Sequence, residues 1–418
     1  MPLSPDPFAR LKALQRRSPL RAVAESGGLP SQTAECNDWI AHSLGGVESG
    51  NTFGRYVAIS HWFADPPETE VDAAALRLLW PEAPDSIADP EQWLFLDTET
   101  TGLAGGTGTY AFLIGIGWWD AGGMQVEQFF MRDLNEEWAV LSTLADRLAH
   151  RPVLVTFNGK SFDWPLLETR YRMTRIIAPP QPRAHLDLLH PARNVWRVRL
   201  GSVRLAKLER RVLGWDRGED LVSDLIPQMY LEFLRGGSPE PLLPVLRHNQ
   251  MDLRGLAALS CYMLSLVAKP ETRAQDALEV YGVSRIYEKR GELKRARNLY
   301  ECSLASYLPA ETDRAARMSL GRLAKRDGDY IVALDHWEKA LGCSREGLHA
   351  YEQMAIYYEH RARQPDRALE ITRRAVTELR RAHRLGLIAT GKYTQHKSRF
   401  DHRLARLERK TALKLFGS

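Results

Sequence analysis

From Trp93 onward the chain alternates short apolar runs with amphipathic stretches. "WLFLDTET" (93–100), "TYAFLIGIGWW" (109–119) and "MQVEQFFMRD" (124–133) are β-rich runs separated by glycine clusters, which predicts a meander of antiparallel strands. "NEEWAVLSTLADRLAH" (135–150) has Trp138, Leu141, Leu144 and Leu148 at helical spacing. "PVLVTFNG" (152–159) then predicts a buried strand, "FDWPLLETRYRM" (162–173) a helix and "AHLDLLH" (184–190) another strand. Three strands followed by alternating helix and strand is the order of a mixed α/β sheet with helices.

The regions on either side differ in texture. Residues 1–90 are a poorly readable lead-in: "RSPLRAVAESGGLPSQTAECND" is turn-rich, "GRYVAISHWF" (54–63) predicts a strand, and no chemistry is assigned there. Residues 91–269 are expected to form the α/β domain. Residues 270–418 read as an all-α helical repeat domain with a basic tail. "YEKRGELKRARNLYECSLA", "LAKRDGDYIVALDHWEKALG" and "YEHRARQPDRALEITRRAV" share helix, tight turn, alanine and an anchor, with Ala296, Ala333 and Ala368 spaced 37 and 35 residues apart. The pattern resembles tetratricopeptide (TPR) repeats, whose unit is about 34 residues. An unrelated helical bundle is the plainer alternative.

Charge separates the same two parts. The chain of 418 residues has a net charge of +5, but residues 1–270 sum to −5 and residues 271–418 to +10. The four cysteines, Cys36, Cys261, Cys302 and Cys343, form no C-x-x-C pair, so buried free thiols are expected rather than a zinc or redox site. "MPLSPDPFARLKALQRRSPL" has charge without an apolar h-region. The longest apolar runs, 110–119 and 256–268, are shorter than the roughly 20 residues of a membrane span. A cytoplasmic protein without membrane partners is the expectation.

Four carboxylates carry the chemistry. Asp97 and Glu99 in "FLDTETTGL" stand at i, i+2 in a strand and so share a face, and a fold accepts paired like charges most readily with a cation between them. Asp163 in "TFNGKSFDWPLL" sits near the first turn of a helix, where a plain N-terminal charge is the structural alternative. Asp252 closes "LRHNQMD", four residues after His248, which places both on one helical face. Hard oxygen donors without cysteine favour Mg²⁺ or Mn²⁺ over zinc.

"FLDTETTGL", "TFNGKSFDWPLL", "HLDLLH" and "HNQMDL", in this order, resemble the DEDD exonucleases of the DnaQ-like superfamily, and most closely the YprB-type ribonuclease H-like proteins. The resemblance spans about residues 93–268 and implies a ribonuclease H-like mixed sheet. It further implies that Asp97, Glu99, Asp163 and Asp252 hold two divalent cations for phosphodiester hydrolysis, with His248 as general base. The superfamily pairs its last aspartate with a histidine five residues earlier or a tyrosine four residues earlier. This chain has histidine at the tyrosine's spacing and departs from both. Asp187 in "HLDLLH" is read as structural.

Substrate contacts are expected from three places. The resemblance implies that backbone near Thr101, Gly102 and Leu103 faces the terminal nucleotide, and Asn158 and Lys160 flank the turn before Asp163. "ARNVWRVRLGSVRLAKLERR" supplies Arg197 and Arg204, with Trp196 as an aromatic for base stacking. A solvated helix face fits that cluster equally well. Residues 380–418, with 11 basic against 2 acidic side chains, fit nucleic acid or a protein partner. The expectation is a metal-dependent 3′–5′ exonuclease acting on a single-stranded nucleic-acid end, joined to a recruiting repeat domain. The alternatives are a catalytically silent scaffold and a structure-selective endonuclease.

Overall fold

The computed structural model describes residues 39–65, 71–102, 106–218 and 221–416. Seven strands form one sheet: β1 (Val47–Asn51), β2 (Gly54–Phe63), β3 (Trp93–Thr100), β4 (Ala111–Asp120), β5 (Gly123–Phe130), β6 (Val153–Thr156) and β7 (Ala184–Asp187). Their order is β1-β2-β5-β4-β3-β6-β7. Every pairing from β1 to β3 is antiparallel, whereas β6 and β7 continue beyond β3 in parallel. The mixed sheet followed by a helical region is the fold class that the pattern predicted.

Burial explains why the central strands read as continuous apolar runs. Trp93 to Leu96 of β3 and Ala111 to Trp118 of β4 are buried throughout, as strands covered on both faces must be. One face packs against α1 (Glu137–His150), α2 (Asp163–Thr174) and α3 (Ile226–Leu234). In α1 the buried stripe includes Leu141, Leu144 and Leu148, but Trp138 is 38% exposed because Ala139 and Val140 face the sheet instead. A long helix, α4 (Leu243–Ala268), also crosses β3 and β4.

Residues 47–63 are part of this sheet rather than a lead-in to it. β2 pairs with β5 from Val57↔Phe130 to Phe63↔Met124. Most of the expected lead-in, including Cys36, lies outside the described residues.

Two compact units result, one running to Arg193 and resuming over Leu200–Ala268, the other formed by Asn194–Arg199 and Lys269–Ser418. The second contains α5 (Ala277–Lys289), α6 (Leu293–Leu304), α7 (Ala310–Arg326), α8 (Tyr330–Lys339), α9 (Arg345–His360), α10 (Pro365–Arg384) and α11 (Thr390–Phe416). Successive helices pack in pairs, α5 on α6, α7 on α8 and α9 on α10, with α11 against α10. Ala296, Ala333 and Ala368 are fully buried in α6, α8 and α10. Their small side chains are what the observed spacing selects. Of the described cysteines only Cys261 is buried; Cys302 is exposed and Cys343 intermediate, so two of the expected buried thiols are not.

Glu240–Ala268 is long and apolar enough by composition to cross a membrane, although each of its apolar runs is short. In this fold 61% of its most apolar window is buried, and it carries polar residues against the sheet.

Candidate active site

The site begins where β3 ends. Asp97 pairs with Gly115 and Glu99 with Leu113 of β4, and the register shifts between Glu99 and Thr100. α4 crosses at Gly115, where a Cβ would lie 2.0 Å from Oδ1 of Asn249. Only glycine leaves room for that close approach.

Asn249, fully buried, uses the space: its Nδ2 donates to Oδ2 of Asp97 at 2.8 Å and to the Asp97 carbonyl at 3.2 Å. Its Oδ1 accepts from Nε2 of Gln128 at 2.7 Å, and the same Gln128 nitrogen donates to the Leu246 carbonyl at 2.9 Å. Gln250 donates to Oε1 of Gln128 at 2.8 Å. This buried amide chain fixes α4 on the sheet and the Asp97 carboxylate with it.

Asp163 is the first residue of α2. The turn leading to it needs Asn158 at φ +71° and Gly159, whose Cβ would meet Thr156 at 2.6 Å. Asp187, only 3% exposed, accepts from the backbone N–H groups of Asn158 (2.9 Å), Lys160 (3.0 Å) and Leu189 (2.9 Å). Its oxygens therefore anchor the turn that aims Asp163. Thr98 Oγ1 donates to Oδ1 of Asp163 at 2.5 Å, tying α2 to β3.

Asp252 arrives on α4, one turn after His248, whose Nε2 lies 3.5 Å from Oδ2 of Asp252. The same carboxylate receives a hydrogen bond from Nη2 of Arg217. That nitrogen also donates to Oε1 of Glu209 at 2.5 Å. Burial disfavours the charged guanidinium, but the hydrogen bonds to Glu209 and the field of Asp252 outweigh it and strengthen its hold on the proton.

Asp97 lies in the field of the other three carboxylates. Burial raises Asp97 well above the usual carboxylate range, and the charges of Asp252, Glu99 and Asp163 push it further in the same direction. Asp163 is also raised by burial, against which its bond from Thr98 acts. Clustered hard oxygen donors, with Asp97 and Asp163 both raised in proton affinity, suit a divalent cation. Among the described residues, however, no three His, Cys, Asp or Glu side chains are arranged to hold one ion. Their oxygens are turned to protein partners: Asp97 to Asn249, Asp163 to Thr98, Asp252 to Arg217.

Beside them opens a cavity of about 640 Å³. Thr98, Glu99, Gly102, Thr107, Phe162 and Asp163 are among its lining residues, and Phe162 is 59% exposed.

The other expected contacts divide. Gly102 lines the cavity, and its carbonyl accepts from Thr100. Thr101 is buried: its N–H donates to the Tyr110 carbonyl at 2.9 Å and its Oγ1 accepts from the Tyr110 N–H at 3.0 Å, so its side chain serves the loop. Leu103 lies outside the described residues. Asn158 and Lys160 meet Asp187 through their backbone and do not line the cavity.

Arg197 and Arg204 are exposed and are not cavity residues either. Trp196 is fully buried, its indole donating to Glu279 at 2.8 Å, so it offers no face for base stacking.

Asn249, Gln128 and Arg217 were missed by sequence reasoning. Asn249 had one signal, its place inside "HNQMD"; Gln128, in an otherwise half-apolar strand, and Arg217, in a loop, had none.

The RNase H superfamily model matches residues 94–264, from β3 through most of α4. Uncharacterized protein YprB of Bacillus subtilis (strain 168) is 30% identical over 291 residues, which is 68% of this chain and 69% of YprB. Among solved structures, the family B DNA polymerase from the hyperthermophilic archaeon Pyrobaculum calidifontis is similar at 17% identity with a TM-score of 0.33. That match covers 47% of this chain and spans 29% of the polymerase.

Proposed function

Because this chain belongs to the ribonuclease H superfamily, we propose that it is a metal-dependent 3′–5′ exonuclease hydrolysing phosphodiester bonds at a single-stranded nucleic-acid end. The observation that carries this reading is that Asp97 lies in the field of Glu99, Asp163 and Asp252, two of which, Glu99 and Asp163, line the 640 Å³ cavity. Asp97 and Asp252, 155 positions apart in the chain, are brought within one another's field by the fold.

In this reading Asp97, Glu99, Asp163 and Asp252 hold two divalent cations, Mg²⁺ or Mn²⁺. Such a pair supplies Lewis-acid stabilisation of phosphoryl oxygens and a water acidified for attack. Asn249 orients Asp97, and Asp187 orients the turn before Asp163. His248 accepts a proton as general base, its ring held beside Asp252 by helical spacing. Phe162 offers an exposed aromatic face for a terminal base, and the Gly102 backbone borders the same space. The helical unit, read as TPR-like repeats with a basic tail, recruits a protein partner or grips substrate, and the activity is cytoplasmic.

The test is digestion of end-labelled RNA and DNA, single- and double-stranded, with Mg²⁺ or Mn²⁺. Release of mononucleotides from the 3′ end, abolished by chelator and by Asp97→Asn, is the expected result. Cleavage that survives both refutes it. A second reading, a nuclease-like scaffold that no longer cleaves, has one observation in its favour: Asp252 is held by Arg217. It requires that no substrate and no metal produce cleavage above the Asp97→Asn background.

A further inference from the structure

The segment after "LAKL" folds back on the site in an unusual way. Glu209–Leu213 is a π-helical turn, which ends at Gly214 with φ +71°. The chain then reverses: Trp215 N–H donates to the Glu209 carbonyl at 3.0 Å, and Arg217 returns beneath α4. Its side chain is 5% exposed. On one side it meets Glu209, whose fully buried carboxylate lies against Gly255; a Cβ there would sit 1.7 Å from Oε1. On the other side it meets Asp252. The guanidinium is thus wedged between a carboxylate outside the proposed ligand set and one inside it, with α4 shaped by a glycine to accept the arrangement.

We propose that Arg217 is an internal counter-cation for Asp252, so that loading a divalent metal and releasing Arg217 from Asp252 are one exchange. The inference rests on the metal-nuclease reading above and deepens it by naming a residue that sets the site's metal affinity. Arg217 occupies Oδ1 of Asp252 and offsets its single negative charge, so a divalent cation drawn to the same carboxylate competes with it. With Arg217 in place Asp252 is an ion-pair partner; with Arg217 withdrawn it is a ligand. A state that withholds one ligand weakens apparent affinity by the fraction of molecules in the open state.

Once released, the guanidinium presents paired donors beside Asp252, the geometry that suits a phosphodiester anion. Substrate phosphate would draw Arg217 off Asp252 and favour metal entry, so the two ligands reinforce each other. Arg217 acts as a positioning residue in this scheme, through Asp252.

Calorimetric titration of the whole chain with Mn²⁺ alone tests the exchange. Arg217→Gln removes the competitor but leaves the buried Glu209 carboxylate without this partner. Glu209→Gln/Arg217→Gln neutralises both and guards against misfolding, with far-UV circular dichroism as the check. Both variants are expected to bind Mn²⁺ about tenfold more tightly than the unmutated protein, the change produced when a closed state of roughly nine-tenths occupancy is removed. Arg217→Lys, which keeps a charge without the fork, should fall between.

Mn²⁺ affinity that is unchanged or weaker in the double variant, while Asp97→Asn still abolishes binding, overturns the exchange and leaves the nuclease reading standing. Mn²⁺ binding indifferent to Asp97→Asn in every background overturns both.

Discussion

Replacing Asp97 by asparagine should make the metal-free protein more stable while destroying the proposed activity. The wild-type carboxylate is half-buried and raised by desolvation and by three neighbouring negative charges, so its ionised form carries an unfavourable free energy that folding must absorb. Asparagine keeps an oxygen to accept from Nδ2 of Asn249, now at 2.8 Å from Asp97, and replaces the other oxygen by a donor facing carboxylates. Removing like-charge repulsion and an incompletely compensated carboxylate at such a site is worth on the order of 1–3 kcal/mol, the scale of a buried polar group left without full compensation. At roughly 2–4 °C per kcal/mol for a unit of this size, melting should rise by several degrees.

The pH dependence has a definite sign. A carboxylate whose folded pKa lies above its unfolded value binds its proton more tightly when folded, so stability falls as pH rises through that interval. The advantage of Asp97→Asn is therefore full above the raised folded pKa and vanishes below the unfolded one, near 3.9. The assay is differential scanning calorimetry in chelator from acid to neutral pH, repeated with excess Mn²⁺, where the wild type should recover stability and the variant should not. A variant less stable than wild type in chelator at neutral pH would refute the claim that these carboxylates repel one another.

Three further outcomes follow from other parts of the molecule. Gly115→Ala should cost about 1–3 kcal/mol and most of the activity, because its Cβ meets Asn249 at 2.0 Å; Asn249→Ala in the same chain should restore stability but not activity, as denaturation and cleavage assays would read. His248→Ala should lower the maximal rate by roughly 10²–10⁴-fold and leave Mn²⁺ binding intact; a full rate in the variant removes His248 from the chemistry. Glu359→Ala should destabilise the helical unit by about 3–5 kcal/mol in urea, because a fully buried carboxylate that binds Arg403, Arg406 and Lys410 is removed from among their charges. Despite the opposing cost of burial, those partners hold Glu359 down at about 2, so its contribution is present above the unfolded pKa near 4.3 and is lost as pH falls toward 2.

The sheet was legible because its central strands are buried on both faces and its helices show a regular stripe. Trp93–Thr100 matched its expected strand at both ends, and Leu141, Leu144 and Leu148 face the core as their spacing requires. Less was legible where a residue's environment comes from elsewhere in the chain. β2 spans the predicted strand, but β1 (VESGN) is made mostly of residues that strands avoid, and nothing local says that β2 will pair with β5 some 70 residues later. Trp196 sits among arginines in sequence, which looks like a nucleic-acid surface. In space Arg199 bonds to the same Glu279 as the indole, so part of that basic run is spent on an internal carboxylate. A cluster of like charges in one dimension says nothing about which of them a distant opposite charge neutralises.

The same asymmetry governs the candidate site. Acidic residues that face one another advertise themselves in sequence, because few other arrangements place Asp-x-Glu at the end of an apolar strand. What neutralises and orients them does not, since an amide or a guanidinium can come from any loop that the fold brings near. Clustered carboxylates must have partners when no metal is bound, or the site would cost the fold more than it can tolerate. In this chain the partners are Asn249 for Asp97, Thr98 for Asp163 and Arg217 for Asp252. The amide and the hydroxyl are neutral and leave the local charge unbalanced. Arg217 alone in this trio carries a positive charge, and therefore competes with a metal for the same electrostatic role. Of the three, it is the one whose removal should tighten metal binding, whereas loss of Asn249 or Thr98 should loosen it by freeing a ligand to turn away.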